Sequence, residues 1–403
     1  WRLFPVRQSL AGFIPYVTTT FGGPWQSVRV RAIGDIELRD LFVEPTLDAA
    51  GRRSFRVSGV VDVTRGAAAR TGDATDLRAA DTEAAAMEPS VSNTVRVSAH
   101  LQIHGAQSSR GPSAGARGSD QISAKSETGG ATDGAGTRGD VSPGRAVDIE
   151  PPGRFSINLS SEREPDAWSP ASPNLVRVEV VAEAGTSRAA RTILTGHRTV
   201  GVRGRRITLD DEPIYPRGVL HWLSYPDQVG PAPDRTTIRR EIEQMQALGY
   251  SMIKLCLVVP PESYFEIADE LGMMLWLELP MWLPSVDEEY RERAKTEYRR
   301  ILRRVRNHPS IVMYTLGCEL SSEADAVFLR ELYDIVKDET HAALVRDNSG
   351  SAECYGGVDL EFADYHDYHF YAEAPVFTDF LDYFIPAYKS VKPLVFGEYC
   401  DSD

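Results

Sequence analysis

The 403-residue chain has only four cysteines, and no two are spaced C-x-x-C. That excludes a disulfide-built scaffold and the common zinc and redox spacings. No run of 18 or more apolar residues occurs, so nothing reads as a membrane-spanning helix. Basic residues are in the minority: 44 Lys and Arg stand against 58 Asp and Glu, a formal charge of −14. Nucleic acid and anionic membrane surfaces both require a basic footprint, so neither is expected as a partner. Residues 1–10 lack the charged start and apolar stretch of a signal peptide. The chain opens in mid-strand and stops just after an apolar strand, so it reads as a fragment, and localisation stays open. The remainder, 42% hydrophobic and 25% charged, is ordinary globular material for two or three domains, and an oligomer is compatible with it.

Short period-2 alternation marks the first half, as in Phe55–Val63, Val95–Leu101 and Val176–Val180. Such alternation predicts half-buried antiparallel strands, hence a β-sandwich. Two stretches interrupt it: 66–93, rich in Ala, Thr and Asp, and 105–147, which has no aromatic residue and is dominated by Gly, Ser, Ala and Thr. Neither can bury enough apolar surface to offset backbone ordering at roughly 1–2 kcal/mol per residue, so both read as disordered insertions.

From about residue 212 the pattern becomes strand then helix, repeated. Strands are expected at Ile214–Leu220, Met252–Val258, Met273–Leu279, Ile311–Leu316, Leu344–Asn348, Ala363–His369 and Leu394–Glu398. Helices are expected at Thr237–Leu248, Glu262–Leu271, Asp287–Arg306, Asp325–Ala343 and Phe377–Val391. This predicts an α/β (β/α)8 TIM barrel over 201–403, truncated after strand seven. The rival is an open doubly wound sheet, which would want a glycine-rich loop after its first strand; the aromatic His221-Trp222-Leu223-Ser224-Tyr225 follows instead.

In a barrel the reactive groups stand at the C-terminal strand ends. Those positions hold Trp222, Glu278, Trp282, Cys318, Glu319, His366, Tyr368, Glu398 and Tyr399, among others. Carboxylates, imidazoles and flat rings at one mouth suit a carbohydrate. Glu319 and Glu398 each follow an apolar strand that carries a glycine near its end. A carboxylate there is costly unless it works at a mouth or is paired. Two facing one cavity are the minimum set for glycoside hydrolysis.

These residues carry a resemblance. Arg306-Asn307-His308-Pro309 through Leu316-Gly317-Cys318-Glu319 resembles the acid/base signature of glycoside hydrolase family 2, the β-galactosidases, β-glucuronidases and β-mannosidases. Pro393-Leu394-Val395-Phe396-Gly397-Glu398-Tyr399 is similar to its nucleophile motif. Trp168-Ser169-Pro170 with Pro173-Asn174-Leu175, then Gly196-His197-Arg198-Thr199-Val200, resembles its immunoglobulin-like domain and the linker into the barrel. Pro213–Val219 resembles its first barrel strand, and Phe21–Val28 the end of its jelly roll. The resemblance implies a jelly-roll end at 1–34, an immunoglobulin-like sandwich at 35–200 and the catalytic barrel beyond. It implies a retaining exo-β-glycosidase acting on a carbohydrate substrate without a cofactor. Glu398 would be the nucleophile and Glu319 the acid/base, its pKa raised by the Glu398 charge.

Two features depart from the family pattern. Cys318 stands where the family has an asparagine that contacts the sugar 2-hydroxyl, and Lys254-Leu255-Cys256-Leu257 replaces an Arg-Thr-Ser-His-type run. The first motivates an alternative: a catalytically impaired carbohydrate-binding homologue. Another is a metal-dependent hydrolase whose mouth is lined by Cys256, Cys318, Cys354 and Cys400; no metal ligand is assigned. On strand six, His366 and Tyr368 share a face and are expected at the substrate, with His369 facing away or at the rim. Glu278 binds a sugar hydroxyl or pairs with Lys254. Trp222 and Trp282 are candidate sugar platforms. Arg217 is expected as an ion-pair partner inside the barrel.

Overall fold

The computed structural model describes residue 28 and residues 33–63, 94–103, 140–141, 144–225, 233–341, 343–350 and 359–399. The first expected insertion, Cys354, Cys400 and nearly all of 1–34 lie outside the described residues.

The alternating segments form two antiparallel sheets. One is ordered β1 (Ile36–Leu47), β2 (Arg53–Val63), β6 (Gly153–Leu159). The other is ordered β10 (Ser187–Thr195), β9 (Val176–Ala184), β3 (Val95–Ile103), with β4 (Asp140–Val141) and β5 (Arg145–Ile149) both on β3. Inward residues of both, among them Phe55, Val57, Phe155, Val97, Leu101 and Val178, share one buried cluster, so the sheets pack face to face. β1 escapes sequence reading because a bulge between Arg39 and Phe42, with Asp40 at φ 51°, breaks its alternation. One expectation is corrected: 105–147 is not disordered to its end. Residues 140–141 and 145–147 pair with β3, and Val147 packs against the cluster.

A ribbon of β7 (Trp168–Ser169) and β8 (Ser172–Pro173), and a small sheet of β11 (Val200–Arg203), β12 (Arg206–Leu209) and β13 (Glu212–Pro213), lead into the second half. There β14 (Gly218–His221), β15 (Met252–Leu255), β16 (Met274–Glu278), β17 (Ile311–Thr315) and β18 (Leu344–Arg346) pair in parallel and in sequence order. β19 (His366–Phe370) and β20 (Leu394–Tyr399) form a further parallel pair. The order never reverses, unlike that of a doubly wound sheet. Lys254 of β15 also reaches Glu398 of β20 at 3.0 Å, so the sheet curls until its second and seventh strands meet inside. That is a barrel.

Helices α1 (Arg235–Ala247), α2 (Glu262–Leu271), α3 (Glu288–Val305), α4 (Ala326–Thr340) and α5 (Ala374–Ala387) lie between the strands. α3 illustrates why they form. Asp287 caps its first turn by accepting from Tyr290 N, acidic residues open it and Arg303 and Arg304 close it against the dipole. Tyr290, Ala294, Tyr298, Leu302 and Val305 make one buried stripe. The first barrel strand is shorter than expected because Pro213 and Pro216 offer no N–H to a ladder. Arg217 is accordingly outside the barrel: exposed, it donates to Gly249 O at 3.1 Å.

The sandwich sits on the barrel floor, the end where strands begin. Buried Trp168 donates from Nε1 to Asp269 O at 2.9 Å. Arg198 donates to the carbonyls of Pro309 and Ile311, both at 2.5 Å. Asn307 pairs with the backbone of Leu41 and Val43. His308, beneath them, bridges Asp269 at 2.6 Å and Glu262 at 3.0 Å.

Candidate active site

The opposite end of the strands is held by backbone pairing that continues past them. Cys318 N donates to Met281 O at 2.9 Å, Ser349 N to Gly317 O at 2.9 Å and Glu319 N to Ser349 O at 2.8 Å. Four non-glycine residues just past β14, β15, β16 and β17 have left-handed backbones: Leu223, Leu257, Leu283 and Glu319, with φ between 42° and 53°. Each such conformation costs about 1–2 kcal/mol, and its clustering is a mark of functional sites.

Glu319 and Glu398 converge. One oxygen of each lies within 4.8 Å of the other and of a ring nitrogen of His369. His369 Nδ1 is 3.1 Å from Glu319 Oε1, and its Nε2 is 3.5 Å from Glu398 Oε1. Trp282 donates from Nε1 to Glu319 Oε2 at 3.3 Å, and the Tyr371 hydroxyl donates to Glu398 Oε2.

Lys254 is the fixed cation behind Glu398. Its ammonium lies 3.0 Å from Glu398 and 3.1 Å from Glu278, 2.8 Å from Ser349 Oγ and over the Trp276 ring. Burial works against its charge, but Glu278 and Glu398 together hold its pKa well above the usual lysine value. Burial would raise the Glu398 carboxyl, yet Lys254, His369 and Tyr371 hold it down to about 2. Glu278 goes the other way: burial lifts it more than Lys254 lowers it. Its place on Lys254 puts it in the wall of the site.

Glu319 overturns one expectation. Burial pushes its carboxyl up, but the hydrogen bonds from His369 and Trp282 outweigh burial and the Glu398 charge, so its resting pKa is lowered. The His369 imidazole between the two carboxylates reverses the effect expected from the Glu398 charge.

Strand six needs a second correction. Alternation holds, but in the opposite phase: Asp367 and His369 are buried inward, whereas His366 and Tyr368 turn toward α5. Tyr368 packs edge-on to Phe384, and His366 edge-on to Tyr388. A barrel's outer face needs apolar rings under its helix, and its interior takes the charged side chains. Tyr399 likewise stacks on Phe377 of α5, 4.7 Å between centroids, away from the carboxylates. His369, expected to face away or at the rim, faces the carboxylates, and Tyr371, Ser349 and Asp367 are the site residues that sequence reading missed. A step of two from Asp367 through His369 to Tyr371 was the available signal.

Cys318 is buried with Cys256 and Leu257 beside the carboxylates, and half-buried Trp222 and Trp282 pack against them. Cys318 Sγ lies 3.8 Å from Glu398 Oε1. Sγ of Cys256 and Cys318 and oxygens of Glu278 and Glu398 lie within 4.8 Å of one another. Lys254 already supplies a cation to Glu278 and Glu398 of this set, and burial pushes the Cys256 thiol up to about 12 and Cys318 upward too.

Comparison with known proteins agrees with this architecture. The model of a family described as "Glycosyl hydrolases family 2, TIM barrel domain" matches residues 200–402. A putative β-glucuronidase of Formosa agariphila is 28% identical over 170 residues, 40% of this chain and 16% of that protein. A β-galactosidase of Thermoanaerobacter pseudethanolicus is 29% identical over 175 residues, 42% of this chain and 23% of the relative. The chain thus spans less than a quarter of the length of these curated relatives. Among solved structures, a Parabacteroides merdae β-glucuronidase superposes with TM-score 0.63 at 14% identity, over 91% of this chain and 39% of that one. A β-galacturonidase of Eisenbergiella tayi bound to galacturonate gives TM-score 0.62 at 16% identity, over 91% and 57%. With half of its residues matched to the family's barrel, and with the sheet curled as that barrel requires, the chain belongs to glycosyl hydrolases family 2.

Proposed function

We propose that this chain carries the catalytic site of a retaining exo-β-glycosidase. Glu398 attacks the anomeric carbon while Glu319 gives a proton to the leaving oxygen. Glu319 then takes a proton from the water that releases the glycosyl-enzyme. The observation that carries this reading is the approach of the two carboxyl groups to within 4.8 Å, oxygen to oxygen. Retention needs carboxyls about 5–5.5 Å apart, whereas inversion needs ~6.5–9.5 Å to admit a water. The surroundings add support: Lys254 keeps Glu398 ionised as a nucleophile must be, and the His369 imidazole sits closer to Glu319, at 3.1 Å, than to Glu398, at 3.5 Å. Relatives named β-galactosidase and β-glucuronidase point to a terminal β-linked hexose or hexuronic acid as the substrate class. We read the sandwich formed by the described residues of 35–200 as the family's immunoglobulin-like domain.

The test is a panel of nitrophenyl β-glycosides on the full chain and on Glu398→Gln. Turnover should fall at least about 10³-fold in the variant, and a 2-fluoro glycoside should leave a mass adduct on Glu398 of the wild type. Near-wild-type turnover in Glu398→Gln removes the assignment. Sugar binding with neither turnover nor adduct would favour the carbohydrate-binding alternative, which Cys318 beside the nucleophile motivates.

A further inference from the structure

Proton counting around His369 fixes more than its position. The Ser349 hydroxyl has one hydrogen, which it donates to Asp367 Oδ2 at 2.7 Å. The same oxygen receives the Lys254 ammonium at 2.8 Å. His369 Nε2, 2.9 Å from that oxygen, therefore meets a lone pair and must carry a hydrogen. Its other near neighbours, Glu398 Oε1 at 3.5 Å and Asp367 Oδ2 at 4.0 Å, are acceptors too. Nδ1 points at Glu319 Oε1, 3.1 Å away. Between a ring nitrogen and a carboxyl oxygen at that distance, one proton makes a hydrogen bond and none leaves two lone pairs opposed.

We propose that Glu319 and His369 act as a pair that holds the acid's proton in the resting site, so that His369 is a positioning residue and proton reserve for the proton-donating glutamate. This rests on the acid/base role given to Glu319 above. In the first displacement the proton moves from Nδ1 to Glu319 Oε1 and on to the leaving oxygen. The C–O bond to the aglycone breaks as the bond from Glu398 to the anomeric carbon forms. The pair, now one proton short, sets a lone pair against a carboxylate. That repulsion makes Glu319 a stronger base for the incoming water. The water's proton restores the pair while its oxygen displaces Glu398.

The groups facing the imidazole are Glu319 past β17, Ser349 past β18, Asp367 on its own strand, Glu398 on β20, Lys254 on β15 and Tyr371 beyond its strand. Burial and Lys254 oppose an imidazolium, while Glu319, Asp367 and Glu398 favour one; the balance lies above the ordinary histidine value. Gly350 supports the arrangement: at φ 77° it also leaves room for the ring, since a β-carbon there would lie 2.8 Å from Nδ1.

Wild type, Glu319→Ala and His369→Gln are compared on two β-glycosides that differ only in leaving group, 2,4-dinitrophenyl (which departs without acid help) and 4-methylphenyl. His369→Gln should lose about 10²-fold or more on the methylphenyl glycoside at pH 7 and far less on the dinitrophenyl one. Its basic limb in kcat/KM should move down in pH relative to wild type. Nitrogen-15 spectra of the eight histidines, with His369 assigned by its loss in the variant, should show Nε2 protonated throughout and Nδ1 titrating above about 6.5. If Glu319→Ala shows no leaving-group dependence, the parent reading falls and takes the pair with it. If Glu319→Ala behaves as an acid knock-out but His369→Gln keeps the wild-type basic limb, the pair alone falls. A neutral His369 protonated on Nδ1 overturns it whatever the kinetics, including where no glycoside is turned over.

Discussion

Lys254→Met is the sharpest probe of the site's electrostatics. The substitution keeps an unbranched side chain of nearly the same length and deletes the ammonium that lies 3.1 Å from buried Glu278 and 3.0 Å from buried Glu398. Lys254, His369 and Tyr371 together hold Glu398 from an ordinary 4.5 down to about 2, and at ~1.4 kcal/mol per unit that corresponds to roughly 3 kcal/mol of stability, of which Lys254 supplies the largest part. Breaking a buried pair from one side costs about 3–5 kcal/mol, which agrees. The sign sets the pH window. A depressed carboxylate contributes stability above its unfolded pKa and loses it as pH falls through about 2. In the variant, burial is opposed by less, His369 and Tyr371 without the ammonium, and both carboxyls take up protons more readily. The stability gap should therefore be widest near pH 7 and narrow steadily below about pH 5. Urea unfolding of both proteins at about pH 7, 5 and 3.5 measures it. Equal stability at neutral pH, or a gap that does not change with acid, refutes the account.

His308→Gln tests the barrel floor with the opposite sign. Burial works against the His308 charge, but Asp269 and Glu262 raise its pKa to about 10, so its contribution is complete below about 6.5 and fades as pH rises through about 10. The variant should lose roughly 3 kcal/mol at pH 6 and less at pH 10 by urea unfolding, and a pH-independent loss would contradict the ion pair. Thiol reactivity is a third check. Buried Cys256 and Cys318, with pKa values pushed upward, should resist iodoacetamide at pH 8 in the native protein and label in urea; peptide mapping reads both.

The sequence was legible where periodicity decides the outcome. α2 runs Glu262–Leu271 as its apolar spacing predicts, and Asp287 and Asp325 cap the helices whose starts they were expected to mark. Two carboxylates at strand ends were also visible, because an acid after an apolar strand has few cheap explanations. What alternation cannot supply is phase. In His366-Asp367-Tyr368-His369-Phe370-Tyr371 both faces carry an imidazole and an aromatic ring, and only α5 with Phe380 and Phe384 decides which side is outside. Ser349 was illegible for another reason. A lone serine has no pattern, and its importance arises from Lys254 on one strand and Asp367 and His369 on another meeting it together. Gly397 hides a similar relation: a β-carbon there would sit 2.5 Å from the Asp367 carboxylate that receives the Ser349 proton.

β17 joins two regions with separate work. It starts at Ile311, whose carbonyl Arg198 grips from the sandwich, and four residues later, at Thr315, it ends near the loop that carries Glu319. The strand spans only about 17 Å, yet the anchoring and the reacting groups sit at its opposite tips. A laboratory that selects variants for heat tolerance and another that selects for faster turnover would then collect changes at two ends of the same rod. Their winning substitutions, being well separated, should combine in one protein with little interference.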